Sequence, residues 1–245
     1  MKLKLNLAYD GTRYCGWQVQ KNAVSVQETL QNAIESIFGE RCMLTGCSRT
    51  DSGVHARDFC CAVSFSKDIN ISSDKIPLAL NHHLPDDISV FKAEYVSDEF
   101  HPRYDVKYKE YEYLILNDPI KDPFLVNKVY VYPKKLDPVL MNDAAQCLTG
   151  KYDFSAFMSS GSSVEDTVRT IKYFTVNSDG RFIKVNVAAD GFLYNMVRIL
   201  VGTLIEVSNG KILIGDLPHI IEQKNRKNAG FTAPPQGLYL NKVFY

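Results

Sequence analysis

Apolar and polar positions alternate from the start of the chain. Leu3, Leu5, Leu7 and Tyr9 are separated by Lys4, Asn6 and Ala8, the period of a half-buried strand, and Asp10-Gly11 ends it with a turn. The period changes after Ser25-Val26-Gln27-Glu28, a capping box: Val26, Leu30, Ala33, Ile34 and Ile37 recur at helical spacing, and Gly39 supplies the stop. Two apolar runs, Cys42-Met43-Leu44 and Phe59-Cys60-Cys61-Ala62-Val63, read as strands on either side of a loop. A helix over 73–83 and a strand over 87–96 complete a β-α-β-β-α-β order within residues 1–98. Residues 99–245 follow the same order of elements with no residue-level repeat. Strands are expected over 106–117 and 128–132, a helix over 137–148, and strands over 169–176 and 182–189. A helix over 194–207, a short one over 217–223 and a last strand over 238–244 follow. The pattern predicts an α+β fold of two halves, with helices on one face and the other free for a large ligand.

Composition narrows the partners. With 245 residues, 45% of them hydrophobic, the chain is long enough for two halves that pack as one unit around a sizeable core. Lysine plus arginine equals aspartate plus glutamate at 28 each, which argues against a strongly basic, sequence-blind nucleic-acid binder but leaves room for a local basic cleft. The six cysteines form no Cys-x-x-Cys pair and read as reduced thiols of a cytoplasmic protein. No signal peptide and no apolar run of about 18 residues is present, so no membrane is expected. His82 and His83 precede Pro85 with no carboxylate or cysteine at ligand spacing, which suits a helix end better than a metal.

Candidate chemistry lies in the loop between the two early strands, Gly46-Cys47-Ser48-Arg49-Thr50-Asp51-Ser52-Gly53-Val54-His55-Ala56-Arg57. Its one carboxylate, Asp51, has Arg49 two residues before it and Arg57 six after. A carboxylate near guanidinium groups stays ionised and is available as nucleophile or base. Thr-Asp-Ser-Gly is equally good turn chemistry, so the residues alone leave a structural aspartate open. Trp17, the single tryptophan, reads as a core plug, and the glutamines after it, Gln18 and Gln20, as groups that could contact polar substrate edges. Arg103, Lys107 and Lys109 alternate with Tyr104, Tyr108, Tyr111 and Tyr113, cations for phosphates beside rings that stack on an unstacked base. On a strand, Lys107, Lys109, Tyr111 and Tyr113 would share one face; a solvated strand with core tyrosines remains the alternative. Arg198 is the one cation of the apolar helix that follows Phe192-Leu193, and a guanidinium there needs a partner. Two loops stand out: the proline-braced 117–123, and the serine-rich 157–166, a segment that could become ordered on substrate.

These stretches together resemble the tRNA pseudouridine synthase A family. Arg49-Thr50-Asp51-Ser52-Gly53-Val54-His55-Ala56 is similar to its Arg-Thr-Asp-x-Gly-Val-His-Ala motif, with Ser48 where glycine is usual. Tyr9-Asp10-Gly11 with Gly16-Trp17-Gln18, Phe100-His101-Pro102-Arg103 (proline in place of alanine), Tyr111-Glu112-Tyr113, Arg169-Thr170-Ile171, Phe192 to Arg198 and Ala233 to Leu240 carry the likeness to the end. The resemblance implies a mostly antiparallel sheet with a central RNA-binding cleft. It implies isomerisation of uridine to pseudouridine at positions 38, 39 and 40 of the tRNA anticodon stem-loop, by a homodimer, with no cofactor and no metal. It makes Asp51 the catalytic carboxylate, Tyr111 the ring that packs against the target base, and Arg198 the partner of Asp51. Arg49, Arg57, Arg103, Lys107, Lys109 and Arg169 are candidate RNA contacts, and Leu238 a candidate pocket wall. An RNA-binding protein without catalysis would keep the basic strand but have no need of Asp51. A hydrolase would need a paired carboxylate or a Ser-His-Asp set that the motif lacks.

Overall fold

The computed structural model describes residues 1–161 and 164–245, and among them are ten strands and five α-helices. The chain divides into two compact units, one of Met1–Lys107 with Tyr239–Tyr245, the other of Tyr108–Leu238.

In the first unit the elements are β1 (Lys2–Tyr9), α1 (Val26–Phe38), β2 (Met43–Gly46), β3 (His55–Ser64), α2 (Ile76–His83) and β4 (Ile88–Val96). This is the β-α-β-β-α-β order that the pattern predicts. β1 buries Leu3, Leu5, Leu7 and Tyr9, the alternating set of the sequence, and pairs antiparallel with both β3 and β4. Ser25 caps α1 by accepting from the Glu28 amide, and Gly39 closes it in the left-handed region at φ 67°. The apolar stripe of α1, with Val26, Leu30, Ala33 and Ile34 buried, packs beside α2. β3 is the central strand. It starts at His55, earlier than the apolar run suggests, because its first residues pair parallel with the chain's last strand, His55 with Tyr239 and Ala56 with Leu240. β2 joins its other end antiparallel, Met43 with Ser64 through Gly46 with Cys61.

In the second unit β5 (Tyr108–Leu116), β6 (Tyr130–Val131), α3 (Pro138–Cys147), β7 (Gly150–Asp153), β8 (Val168–Asp179), β9 (Phe182–Ala189), α4 (Met196–Ser208) and α5 (Leu217–Gln223) precede β10 (Leu238–Phe244). Strands β7, β8, β9 and β5 run side by side, all antiparallel, and β6 adds a two-residue parallel pairing to β5. α3 packs on β8 and α4, and α4 buries ten residues, from Met196 to Val207. The sequence pattern does not show β7. Its four residues lack alternation and are strand because β8 pairs with them, Gly150 with Ile171 through Asp153 with Val168.

All six cysteines are free. Among the described residues no helix is long and apolar enough to cross a membrane.

Candidate active site

The Asp51 loop is built by close approach of main chain to main chain. Gly16, at φ 90°, lies so near the loop that a Cβ there would stand 2.3 Å from the Thr50 carbonyl oxygen; a Cβ on Gly11 would stand 2.0 Å from that of Val54. Only glycine fits either place. The Trp17 amide donates to the Thr50 carbonyl at 3.1 Å, and the Gly53 amide to that of Tyr14 at 3.3 Å. Tyr9 and Thr50 share a buried side-chain hydrogen bond of 2.7 Å. The Val54 amide donates to the Asp51 carbonyl at 3.2 Å, which folds the loop into a turn with Gly53 at φ 76°. Below it, Trp17 stacks on Phe59 at 4.1 Å, so the tryptophan is the core plug that its composition suggests. Gln20 turns back to donate to the Cys15 carbonyl, and Gln18 is exposed.

Asp51 itself is half-buried, with Arg49 exposed beside it. Arg57 extends from β3 over the Tyr239 ring, its guanidinium carbon 4.5 Å from the centroid, and donates to Asn241 Oδ1 at 3.0 Å. Arg13, on the turn after β1, forms a 2.6 Å ion pair with Asp87, which also accepts from the Tyr14 hydroxyl at 2.6 Å. Burial pushes the Asp87 carboxyl up, but the hydrogen bonds from Arg13 and Tyr14 and the guanidinium charge outweigh it and hold it below the ordinary carboxylate value. Arg13 is thus occupied in bracing the loop's support.

Arg103 and Lys107 occupy a different part of the first unit. Residues 101–105 form a turn in which His101 Nδ1 accepts from the amides of Arg103 and Tyr104, leaving Arg103 exposed. Lys107 precedes β5 instead of standing on it. Its amide donates to the Phe244 carbonyl at 2.8 Å and its ammonium to the Tyr245 carbonyl at 3.0 Å. The face expected to carry Lys107, Lys109, Tyr111 and Tyr113 therefore begins at Lys109. Lys107 is bonded instead to the end of the chain, at Phe244 and Tyr245.

In the second unit that face is largely core. Lys109 is half-buried, and Tyr113 is fully buried, with its hydroxyl donating to the Pro234 carbonyl at 2.7 Å. A Cβ on Gly237 would lie 2.6 Å from the Tyr113 ring, so the Pro-Pro-Gln-Gly turn is shaped to this tyrosine. Tyr111 is 6% exposed and meets Phe192 edge-on at 5.0 Å. Arg198 is half-buried; its Nε donates to the Ala233 carbonyl and its Nη1 to Asn195 Oδ1, both at 2.7 Å. Asn195 starts α4 in the left-handed region, at φ 61°, and also donates to Ser159 Oγ at 3.0 Å. The serine-rich segment is therefore tied down at its first serine, while Ser162 and Ser163 lie outside the described residues. Arg169 is half-buried on β8 beside Gly191, and Leu238 is 5% exposed at the start of β10. His82 and His83 end α2 as an edge-on pair 5.3 Å apart.

His55, Tyr9, Asp10 and Tyr239 surround the loop, and sequence reasoning assigned none of them a role. The available signal was a polar residue, His55, at the head of an apolar strand.

The family model for tRNA pseudouridine synthase matches residues 7–105 and 144–245. The chain is 47% identical over 243 residues to tRNA pseudouridine synthase A of Acetivibrio thermocellus, covering 99% of both chains. It is 49% identical over 237 residues to the enzyme of that name from Thermoanaerobacter pseudethanolicus, covering 97% of this chain and 96% of the other. The same name belongs to a Clostridium botulinum protein, 47% identical over 243 residues with 99% of both covered. This chain belongs to the tRNA pseudouridine synthase family, isomerases that convert uridine to pseudouridine.

Proposed function

We propose that the chain acts on uridines 38, 39 and 40 of the tRNA anticodon stem-loop, as a cytoplasmic homodimer, with Asp51 as the catalytic carboxylate. The observation that carries this reading is the bracing of the Asp51 loop. A half-buried carboxylate sits on a turn that two glycines, a buried tyrosine and three main-chain hydrogen bonds hold in place. A surface turn needs no such support, whereas a reacting group does.

The reaction breaks the bond from N1 of uracil to the ribose and makes one from C5. C5 gives up its hydrogen as a proton and N1 gains one, so the sum is an isomerisation with no redox step and no external group. The target base must leave the stack, and Tyr111, with its ring set edge-on by Phe192, is proposed to receive it. Arg198 is proposed to keep the Asp51 carboxylate ionised and aimed, with Leu238 lining the base pocket. Arg49, Arg103 and Arg169 are assigned to RNA contact. Arg57, Lys107 and Lys109 are assigned there too, the first two while also engaged by Asn241 and Tyr245.

The test is release of tritium from C5-labelled uridine in an anticodon stem-loop transcript, with wild type beside Asp51→Ala. Release by wild type alone, with RNA affinity kept in the variant, is the expected result. Turnover retained by Asp51→Ala removes Asp51 from the mechanism. Tight binding without release by either protein returns the reading to an RNA-binding protein.

A further inference from the structure

The histidine of the motif takes no part in the chemistry proposed above, yet it is 1% exposed and closely held. His55 Nδ1 stands 3.0 Å from both the Gly11 amide nitrogen and Asp10 Oδ1: without a proton it accepts from the amide, and with one it donates to the carboxylate. Its ring stacks on Tyr239 at 4.6 Å, the residue paired with it across β3 and β10. Asp10 is itself oriented. Its Oδ1 accepts from the Thr12 amide and hydroxyl at 3.1 and 2.6 Å, and its own amide donates to the Asp87 carbonyl at 2.9 Å.

The position of this cluster matters more than its number of contacts. Residues 9–11 hold the loop on both sides of Asp51. Before it, Tyr9 meets Thr50; after it, Gly11 meets Val54 and His55. The single turn from the Val54 amide to the Asp51 carbonyl then joins His55 to the residue that carries the carboxylate. Val54, next to His55 in the chain, is thus the link between the imidazole and the turn that bears Asp51.

We propose that His55, set by Asp10, is a positioning residue for the Asp51 carboxylate, an inference that rests on Asp51 carrying the reaction. The working atom is Nδ1. Asparagine in place of histidine puts an amide atom near where Nδ1 stands; glutamine puts its amide nearer the position of Nε2. A residue that merely filled space would not distinguish the two.

The experiment measures single-turnover tritium release, dissociation constant for the same transcript and melting temperature, for wild type, Asp51→Ala, His55→Asn, His55→Gln and Asp10→Asn. A displacement of about 1 Å at a reacting group costs on the order of 100-fold in rate, so His55→Gln should lose about that much with RNA affinity within about threefold of wild type. His55→Asn should retain about tenfold more activity than His55→Gln. Asp10→Asn, which keeps the cap on Thr12 but removes the charge beside Nδ1, should slow the step without loosening RNA. Equal losses in the two His55 variants overturn the proposal, as does a rate loss that tracks affinity or a wild-type rate in His55→Gln. If His55→Gln does not fold, Asp10→Asn decides: a wild-type rate there overturns it. Wild type without release would instead sink the isomerase reading. Release by Asp51→Ala would sink the role of Asp51, and this inference with it.

Discussion

The loop that carries Asp51 turns on Asp and Gly, the connection between β5 and β6 on Asp and Pro, and they are held in opposite ways. The first is held from within. Glycines at positions 11 and 16 let neighbouring main chain approach to distances that no Cβ tolerates, and the side-chain bond from Tyr9 to Thr50 is buried. The second is held from outside. Asp118 and Asp122 both take the Arg181 guanidinium, at 3.6 and 2.7 Å, and Asp122 caps the short turn at Phe124. It leaves Ile120, Phe124 and Val126 exposed, Phe124 to 92%. Steric walls rise steeply, so the first loop has no soft direction in which to relax. A surface ion pair is screened and shallow, so the second can shift at little cost. A connection needs only to connect; a reacting carboxylate must stand within a fraction of an ångström of its place.

The sharpest way to break that contrast is Gly16→Ala. The new Cβ meets the Thr50 carbonyl oxygen at 2.3 Å, and the backbone at φ 90° is strained for alanine as well. A cost of about 3 kcal/mol in denaturant unfolding is expected, with turnover down by on the order of 100-fold as Thr50 and Asp51 are pushed aside. A fully active Gly16→Ala protein would show that the loop is soft after all.

The fold was legible wherever a local signal governs structure. The alternation of Leu3 to Tyr9, the cap at Ser25 and the stop at Gly39 all hold, because each is decided within a few residues. What the pattern could not show is decided across the chain. β7 exists through β8, and β3 starts at His55 because Tyr239, far along the chain, pairs with it. Lys107 falls outside β5 and is engaged by Phe244 and Tyr245, again far along the chain. The site shows the same division. Asp51, Tyr111 and Arg198 emerge from motifs, since their residue types alone allow structural readings. The groups that hold Asp51 in place stand about forty residues earlier in sequence, at Tyr9, Asp10 and Gly11, where the pattern reads only a strand end and a turn.

A smaller effect is expected at Asp87, which supports the first loop at one remove through Arg13, Tyr14 and the Asp10 amide. Its carboxyl is held below the ordinary value when folded, so the unfolded chain takes up the proton first as pH falls. The stability it contributes is therefore complete above the usual carboxylate range and is lost as pH drops from about 4 through the lower folded value. Asp87→Asn should lower stability at pH 7 by about 1–3 kcal/mol and flatten the acid limb of the stability curve. The two proteins should converge below that window. An unchanged acid limb would mean that the pair with Arg13 contributes nothing to folding.

The smallest effect belongs to the second loop. Arg181→Ala removes both ion pairs at once, yet the guanidinium is 44% exposed. Exposed pairs contribute about 0–1 kcal/mol, and less at high salt, so the melting temperature should fall slightly in low salt and hardly at all in 0.5 M salt, a concentration of about the order that screens such pairs. Turnover should be unaffected under both conditions. The result would sharpen the contrast in a way that stability alone cannot. If Arg181→Ala lowered turnover at constant stability, the β5–β6 connection would have a part in handling RNA, and its exposed Phe124 would then be the first side chain to truncate. If salt erased the whole effect, the loop would be one that the fold tolerates in many positions, the opposite of the turn that holds Asp51.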